Sequence, residues 1–171
     1  RPMTTLEMGH VQMYTGDGKG KTTAAVGAAV RAVGAGKRVA FVQFVKGGPR
    51  SSELAVLEDI GVRVERPAER STGLLGDGIT DDDRAAASEA LALAREVVSS
   101  LEFDFIVLDE VCVAMRYELV AEADVLALLD ERFPGLSEHV EMVDVATPLT
   151  FERYTGNWKG SFEGWLITPQ N

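Results

Sequence analysis

The run Thr15-Gly16-Asp17-Gly18-Lys19-Gly20-Lys21-Thr22-Thr23 constrains this chain more than any other stretch. It follows a short strand signal, Val11-Gln12-Met13-Tyr14, and opens an alanine-rich helical pattern over residues 21–35 that Gly34 and Gly36 would end. A bend between strand and helix with three glycines in five residues lets backbone N–H groups turn inward around an anion without side-chain clashes. The helix that follows aims its positive end at the same spot. The general pattern is G-x-x-x-x-G-K-[ST]; Gly20-Lys21-Thr22 fit it, and Thr15 stands where the first glycine usually does. All of residues 15–23 are therefore candidates for holding the triphosphate of a nucleotide, ATP first among them. Lys21 can reach the outer phosphates, and the Thr22 hydroxyl can bind Mg²⁺. Lys19 reads equally well as a phosphate contact or a solvated side chain.

Strand and helix signals alternate through the first two-thirds of the chain. Residues 38–44 read as a second strand, 51–59 as a short helix and 62–64 as a third strand. Residues 67–80, with three glycines and a proline, read as a long loop of the kind found at active sites. Residues 81–101 form a strong helical pattern with an acidic first turn, Asp81-Asp82-Asp83. Phe103–Leu108 is a continuous apolar run, and 121–131 is another helix. Apolar strands alternating with helices imply an α/β fold, a parallel sheet covered on both faces in the P-loop NTPase-like manner. Ligands of such sheets bind beyond the carboxyl ends of the strands. The glycine-rich run and Asp109-Glu110 each follow a strand signal, so both belong at one edge.

Two carboxylates at the end of a buried strand suit a divalent cation. Mg²⁺ takes oxygen ligands and keeps several waters, so one carboxylate with Thr22 and phosphates suffices. Asp109 and Glu110 are both candidates, and the sequence leaves open which touches the metal and which acts through water. The alternative is a helix cap by Asp109 beside a surface Glu110.

Composition sets the limits. With 17 Lys+Arg against 27 Asp+Glu the net charge is −10, a surface that repels nucleic acid and anionic lipid. No apolar run reaches the roughly 20 residues of a membrane span, and Arg1-Pro2-Met3 has no signal-peptide pattern, so a cytoplasmic protein is expected. The single cysteine, Cys112, excludes an internal disulfide or a cysteine-pair metal site and reads as a buried small residue. His10 and His139 have no ligand-spaced partners and read as structural or surface residues. Trp158 and Trp165 read as packing residues. Lys46 and Arg50 follow the second strand, with a ligand contact and a solvated loop equally open.

Over Gly9–Arg132 the chain resembles the P-loop corrinoid adenosyltransferases. The resemblance rests on Tyr14–Ala25, Arg31–Gly36, Val42-Gln43-Phe44-Val45-Lys46-Gly47 and Val107–Ala114, about three-quarters of the chain. It implies transfer of the 5′-deoxyadenosyl group of ATP to the Co(I) of a reduced corrinoid, with tripolyphosphate leaving and Mg²⁺ as cofactor. It implies ATP held in a reversed sense relative to other P-loop proteins, and a homodimer. Reduced cobalt is itself the nucleophile, so no Ser, Cys or His base is required. What remains for the protein is positioning and charge stabilisation, a task for Lys21, Thr22 and Glu110. The competing readings are another P-loop kinase or NTPase, and a non-catalytic ATP-binding module inactivated by its altered C-terminus.

Three departures from the family stand out. Gly76-Asp77-Gly78 is followed by Ile79-Thr80-Asp81, where the family has Phe-Thr-Trp, a pair that helps remove the corrinoid's lower ligand. Ile79 can still pack on a corrinoid, but Asp81 cannot replace an indole, so a corrinoid lacking the lower base would suffer less than complete cobalamin. Only eight residues precede Gly9, which points to a short or missing corrinoid cover. The family's ending is replaced from about Phe133. There Asp144–Asn157 and Gly160–Trp165 resemble the C-terminus of FAD-dependent phytoene-desaturase-like oxidoreductases. The chain lacks the G-x-G-x-x-G unit that would bind FAD, so no flavin is expected. The reading is of a chimera: residues 1–145 as the P-loop nucleotide-binding domain, with a strand at His139–Val145, and 146–171 as an irregular tail.

Overall fold

Val39–Gln43 carries its first polar side chain at its last position, and the matching strand Phe105–Asp109 does the same. All ten positions are buried, as expected of central strands covered on both faces. The computed structural model describes residues 10–15, 20–45, 50–67, 78–132, 149–151, 158–160 and 162–168. For His10, Met13, Thr15 and the segments from Leu149 on it describes the backbone only. The elements are β1 (His10–Thr15), α1 (Lys21–Gly34), β2 (Val39–Gln43), α2 (Ser52–Asp59), β3 (Arg63–Glu65), α3 (Asp81–Ser99), β4 (Phe105–Asp109), α4 (Val111–Arg116), α5 (Glu122–Arg132), β5 (Leu149–Phe151), β6 (Trp158–Gly160) and β7 (Phe162–Thr168).

The main sheet has the order β1-β7-β4-β2-β3. β4, β2 and β3 pair in parallel, and β7 runs antiparallel to both β4 and β1. β1 therefore points the same way as β4, with β7 between them. This is the expected α/β, P-loop NTPase-like arrangement with helices on both faces. The alternation of strand side chains divides the core cleanly. Val39, Phe41, Phe105 and Val107 pack with Ala25 and Ala29 of α1 and Leu54 and Leu57 of α2. Ala40, Val42, Ile106 and Leu108 pack on the other face with α3, α4 and α5. Among the described residues no helix is long and apolar enough to cross a membrane.

α1 buries Lys21, Ala25 and Ala29, one residue per turn on a single stripe. It closes through Gly36, whose φ of 75° lets Lys37 N–H reach back to the Ala32 carbonyl at 3.0 Å. α3 lays Ala87, Ala90 and Ala94 against the sheet, all fully buried, and these short side chains bring its backbone close. Its start is fixed by a reciprocal cap. Asp83 N–H donates to Thr80 Oγ1 at 3.2 Å, and Thr80 N–H donates to Asp83 Oδ2 at 2.9 Å. Asp81–Asp83 thus form the acidic first turn read from the sequence. Thr80→Ala should cost about 1 kcal/mol, a melting-temperature loss of about 2–4 °C read by thermal unfolding.

Two differences from expectation have physical reasons. α4 was not read because it is only six residues long and two of its first three, Val111 and Val113, are β-branched. The tail read as irregular over 146–171 contains β5 and β6, which pair with each other, and β7, which joins the main sheet. Phe162-Glu163-Gly164-Trp165-Leu166-Ile167-Thr168 has aromatic and branched residues suited to a strand, masked by the glycines around it. The strand read at His139–Val145 lies outside the described residues.

Candidate nucleotide site

β1 ends at Thr15, and Gly16–Lys19 lie outside the described residues; the description resumes at Gly20. Gly20 caps α1 with φ 108°, a left-handed conformation that an L side chain would occupy only under strain. The Cβ of an alanine there would meet nothing within 4 Å, so the backbone angle, not space, calls for glycine. The next residue, Lys21, is buried at the start of the stripe that faces the sheet. Thr22 is half-buried and Thr23 is exposed.

The two sequence motifs meet. Thr22 Oγ1 donates to Asp109 Oδ1 at 3.1 Å, across 87 residues of sequence. The start of α1 and the carboxyl end of β4 therefore share one edge of the sheet. Asp109 is 2% exposed, and its other oxygen, Oδ2, accepts from Gln43 Nε2 at 3.1 Å. Gln43 and Asp109 are register partners on parallel strands, so both side chains project to the α1 face. Phe44 N–H, just beyond β2, donates to the Asp109 carbonyl at 3.0 Å and extends that pairing past the strand end. The carboxylate is thus held at both oxygens by neutral donors.

Glu110 follows with φ 64°, a left-handed conformation that is costly for a residue with a side chain. It is the N-cap residue of α4 and half-buried. Arg50, one of the two open basic residues, is engaged by Glu58 of α2 in an exposed ion pair. Lys46 lies outside the described residues. Ile79 and Asp81 flank the cap residue Thr80, both exposed. Cys112 is buried beside the acidic strand end, as read from the sequence.

Gln43 is the residue of this site to which sequence reading assigned no role. Its signal was available: a polar residue closing an apolar strand whose parallel partner closes on Asp109. Among the described residues no three His, Cys, Asp or Glu side chains cluster as a metal cage. The donors present, a hydroxyl and a carboxylate, suit a hard cation that completes its shell with phosphate and water.

A phosphate-loop helix start tied to a strand-end carboxylate is shared by many nucleotide-binding proteins, so the wider sequence decides the family. Residues 7–143 match the family model described as ATP:corrinoid adenosyltransferase BtuR/CobO/CobP. The chain belongs to that family. Among similar proteins, the corrinoid adenosyltransferase of Escherichia coli (strain K12) is 39% identical over 127 residues, covering 74% of this chain and 63% of that protein. Corrinoid adenosyltransferase CobA of Salmonella typhimurium (strain LT2) is 37% identical over 130 residues, covering 75% of this chain and 64% of that protein. The corrinoid adenosyltransferase of Pseudomonas aeruginosa is 31% identical over 132 residues, covering 74% and 62% respectively. The chain thus spans a little under two-thirds of the length of the curated relatives it matches. Within this corrinoid adenosyltransferase family member, every described residue of the Thr22–Asp109–Gln43 constellation falls inside the matched region.

Proposed function

We propose that this protein is an ATP:corrinoid adenosyltransferase. The observation that carries the reading is the Thr22–Asp109 hydrogen bond at the shared sheet edge, in a chain of this family. In the proposed reaction, Co(I) of a reduced corrinoid attacks C5′ of ATP. A cobalt–carbon bond forms, the bond from C5′ to the triphosphate oxygen breaks, and tripolyphosphate departs with the bonding electrons.

The chain's own residues serve that departure. Residues 15–23 cradle the triphosphate, with backbone N–H groups at Gly20 and the α1 start pointing toward it. Lys21 places its ammonium against the accumulating negative charge. Thr22 donates its hydroxyl hydrogen bond to Asp109, which leaves its oxygen lone pairs for a metal. Asp109 in this reading acts through Thr22 and the metal's water, and Glu110 stands beside it as the second carboxylate. The residues fit Mg²⁺, which when bound supplies positive charge shared between the phosphate oxygens.

We further read the substrates as ATP and a reduced corrinoid, with neither nucleic acid nor membrane as partner, in a cytoplasmic homodimer. Ile79 and Asp81, exposed at the start of α3, favour a corrinoid without its lower base. The match to the family model ends at residue 143; the segment beyond it we read as one of separate, oxidoreductase-like resemblance without flavin. Incubation with ATP, Mg²⁺ and chemically reduced corrinoid tests the whole proposal. Tripolyphosphate and the spectrum of an alkylated corrinoid are expected. ADP or inorganic phosphate with an unchanged corrinoid spectrum would identify a phosphate-transferring or hydrolysing P-loop protein instead.

A further inference from the structure

Gln43 is 1% exposed, and its Oε1 is the buried side-chain atom among the described residues that lacks a hydrogen-bond partner. Its amide orientation is fixed by chemistry. Reversing it would set one acceptor against another, since Nε2 lies 3.1 Å from a carboxylate oxygen of Asp109. An unmet acceptor at this depth is unfavourable and calls for an explanation. The side chain projects from the last residue of β2 to the α1 face, beside Asp109 and beyond the apolar layer of Phe41 and Val107. That is the edge where α1 begins and where the nucleotide site opens.

We propose that Gln43 is a positioning residue for the metal–nucleotide complex: its amide N–H locks Asp109, and its Oε1 accepts a hydrogen bond from a water carried by the bound divalent cation. This deepens the reading of the site as a Mg²⁺·ATP site and rests on it. The donor half explains why Asp109 turns Oδ1 toward Thr22. The acceptor half explains the unmet oxygen, which gains its partner when the hydrated ion arrives.

The test titrates Mg²⁺ against the ATP-induced rise in melting temperature, and requires no turnover. Gln43→Met keeps length and volume but loses both hydrogen-bonding groups. It is expected to need about tenfold more Mg²⁺ for half of the full rise, while keeping its response to ATP in the presence of a chelator. Gln43→Glu keeps acceptor oxygens and loses the amide donor. It is expected to melt lower without ligand, yet to return the half-saturating Mg²⁺ to the wild-type value or below. Unchanged Mg²⁺ demand in Gln43→Met would overturn the proposal and leave Gln43 a packing residue. Equal, raised demand in both variants would overturn the acceptor role. If wild-type protein responds to ATP without any effect of Mg²⁺, the metal reading and this proposal both fail. If only the variants behave as wild type, this proposal alone does.

Discussion

Lys21→Ala should weaken ATP binding by about 100-fold, the consequence of removing one charge-assisted contact to phosphate. Lys21 lies at the first position of α1, on the buried stripe continued by Ala25 and Ala29, and is 9% exposed. Alanine continues that stripe without loss of helix propensity. The unliganded protein should therefore keep its far-UV circular dichroism and its cooperative melt. Isothermal titration with Mg²⁺·ATP reads the effect. An affinity within a few-fold of wild type would place the triphosphate elsewhere.

A second large effect is expected from Asp109→Asn, and its physics differs. An asparagine has the shape of the aspartate but accepts at one end only. Turned one way, its NH₂ meets the Gln43 amide, donor against donor. Turned the other, it donates to the Thr22 oxygen and occupies a lone pair that a metal would need. Thr22 rotates easily, so the unliganded fold should lose only about 1 kcal/mol. The affinity for Mg²⁺·ATP should fall by about 10- to 100-fold, as when the partner that orients a metal ligand is removed. ATP binding in chelator should change far less. Melting curves with ATP, with and without Mg²⁺, separate the two terms, and a metal response as large as wild type's would contradict the assignment of Asp109 to Thr22.

Much of this architecture was legible from periodicity. β2 and β4 announced themselves because strands buried on both faces must be apolar throughout, and α3 because its alanines and valines recur at helical spacing. The meeting of Thr22 with Asp109 was legible too, since ligand edges of parallel sheets gather at strand ends. What sequence could not supply was lateral order. Nothing in Phe162–Thr168 says that it pairs between β1 and β4, because strand pairing is decided by contacts between residues far apart in the chain. Gln43 escaped for a related reason. Its partner lies 66 positions away, and only the register of two parallel strands brings them together. α4 was lost to local ambiguity, its branched residues being as much at home in a strand.

The left-handed backbone at Glu110 has a further consequence. A glycine or asparagine would sit there at lower conformational cost, so heat resistance and the carboxylate compete for the same position. Directed evolution for endurance alone would drift toward the smaller residue and discard the acid. A chain shaped by such pressure would outlast this one in the test tube, with one fewer negative charge beside its proposed nucleotide site.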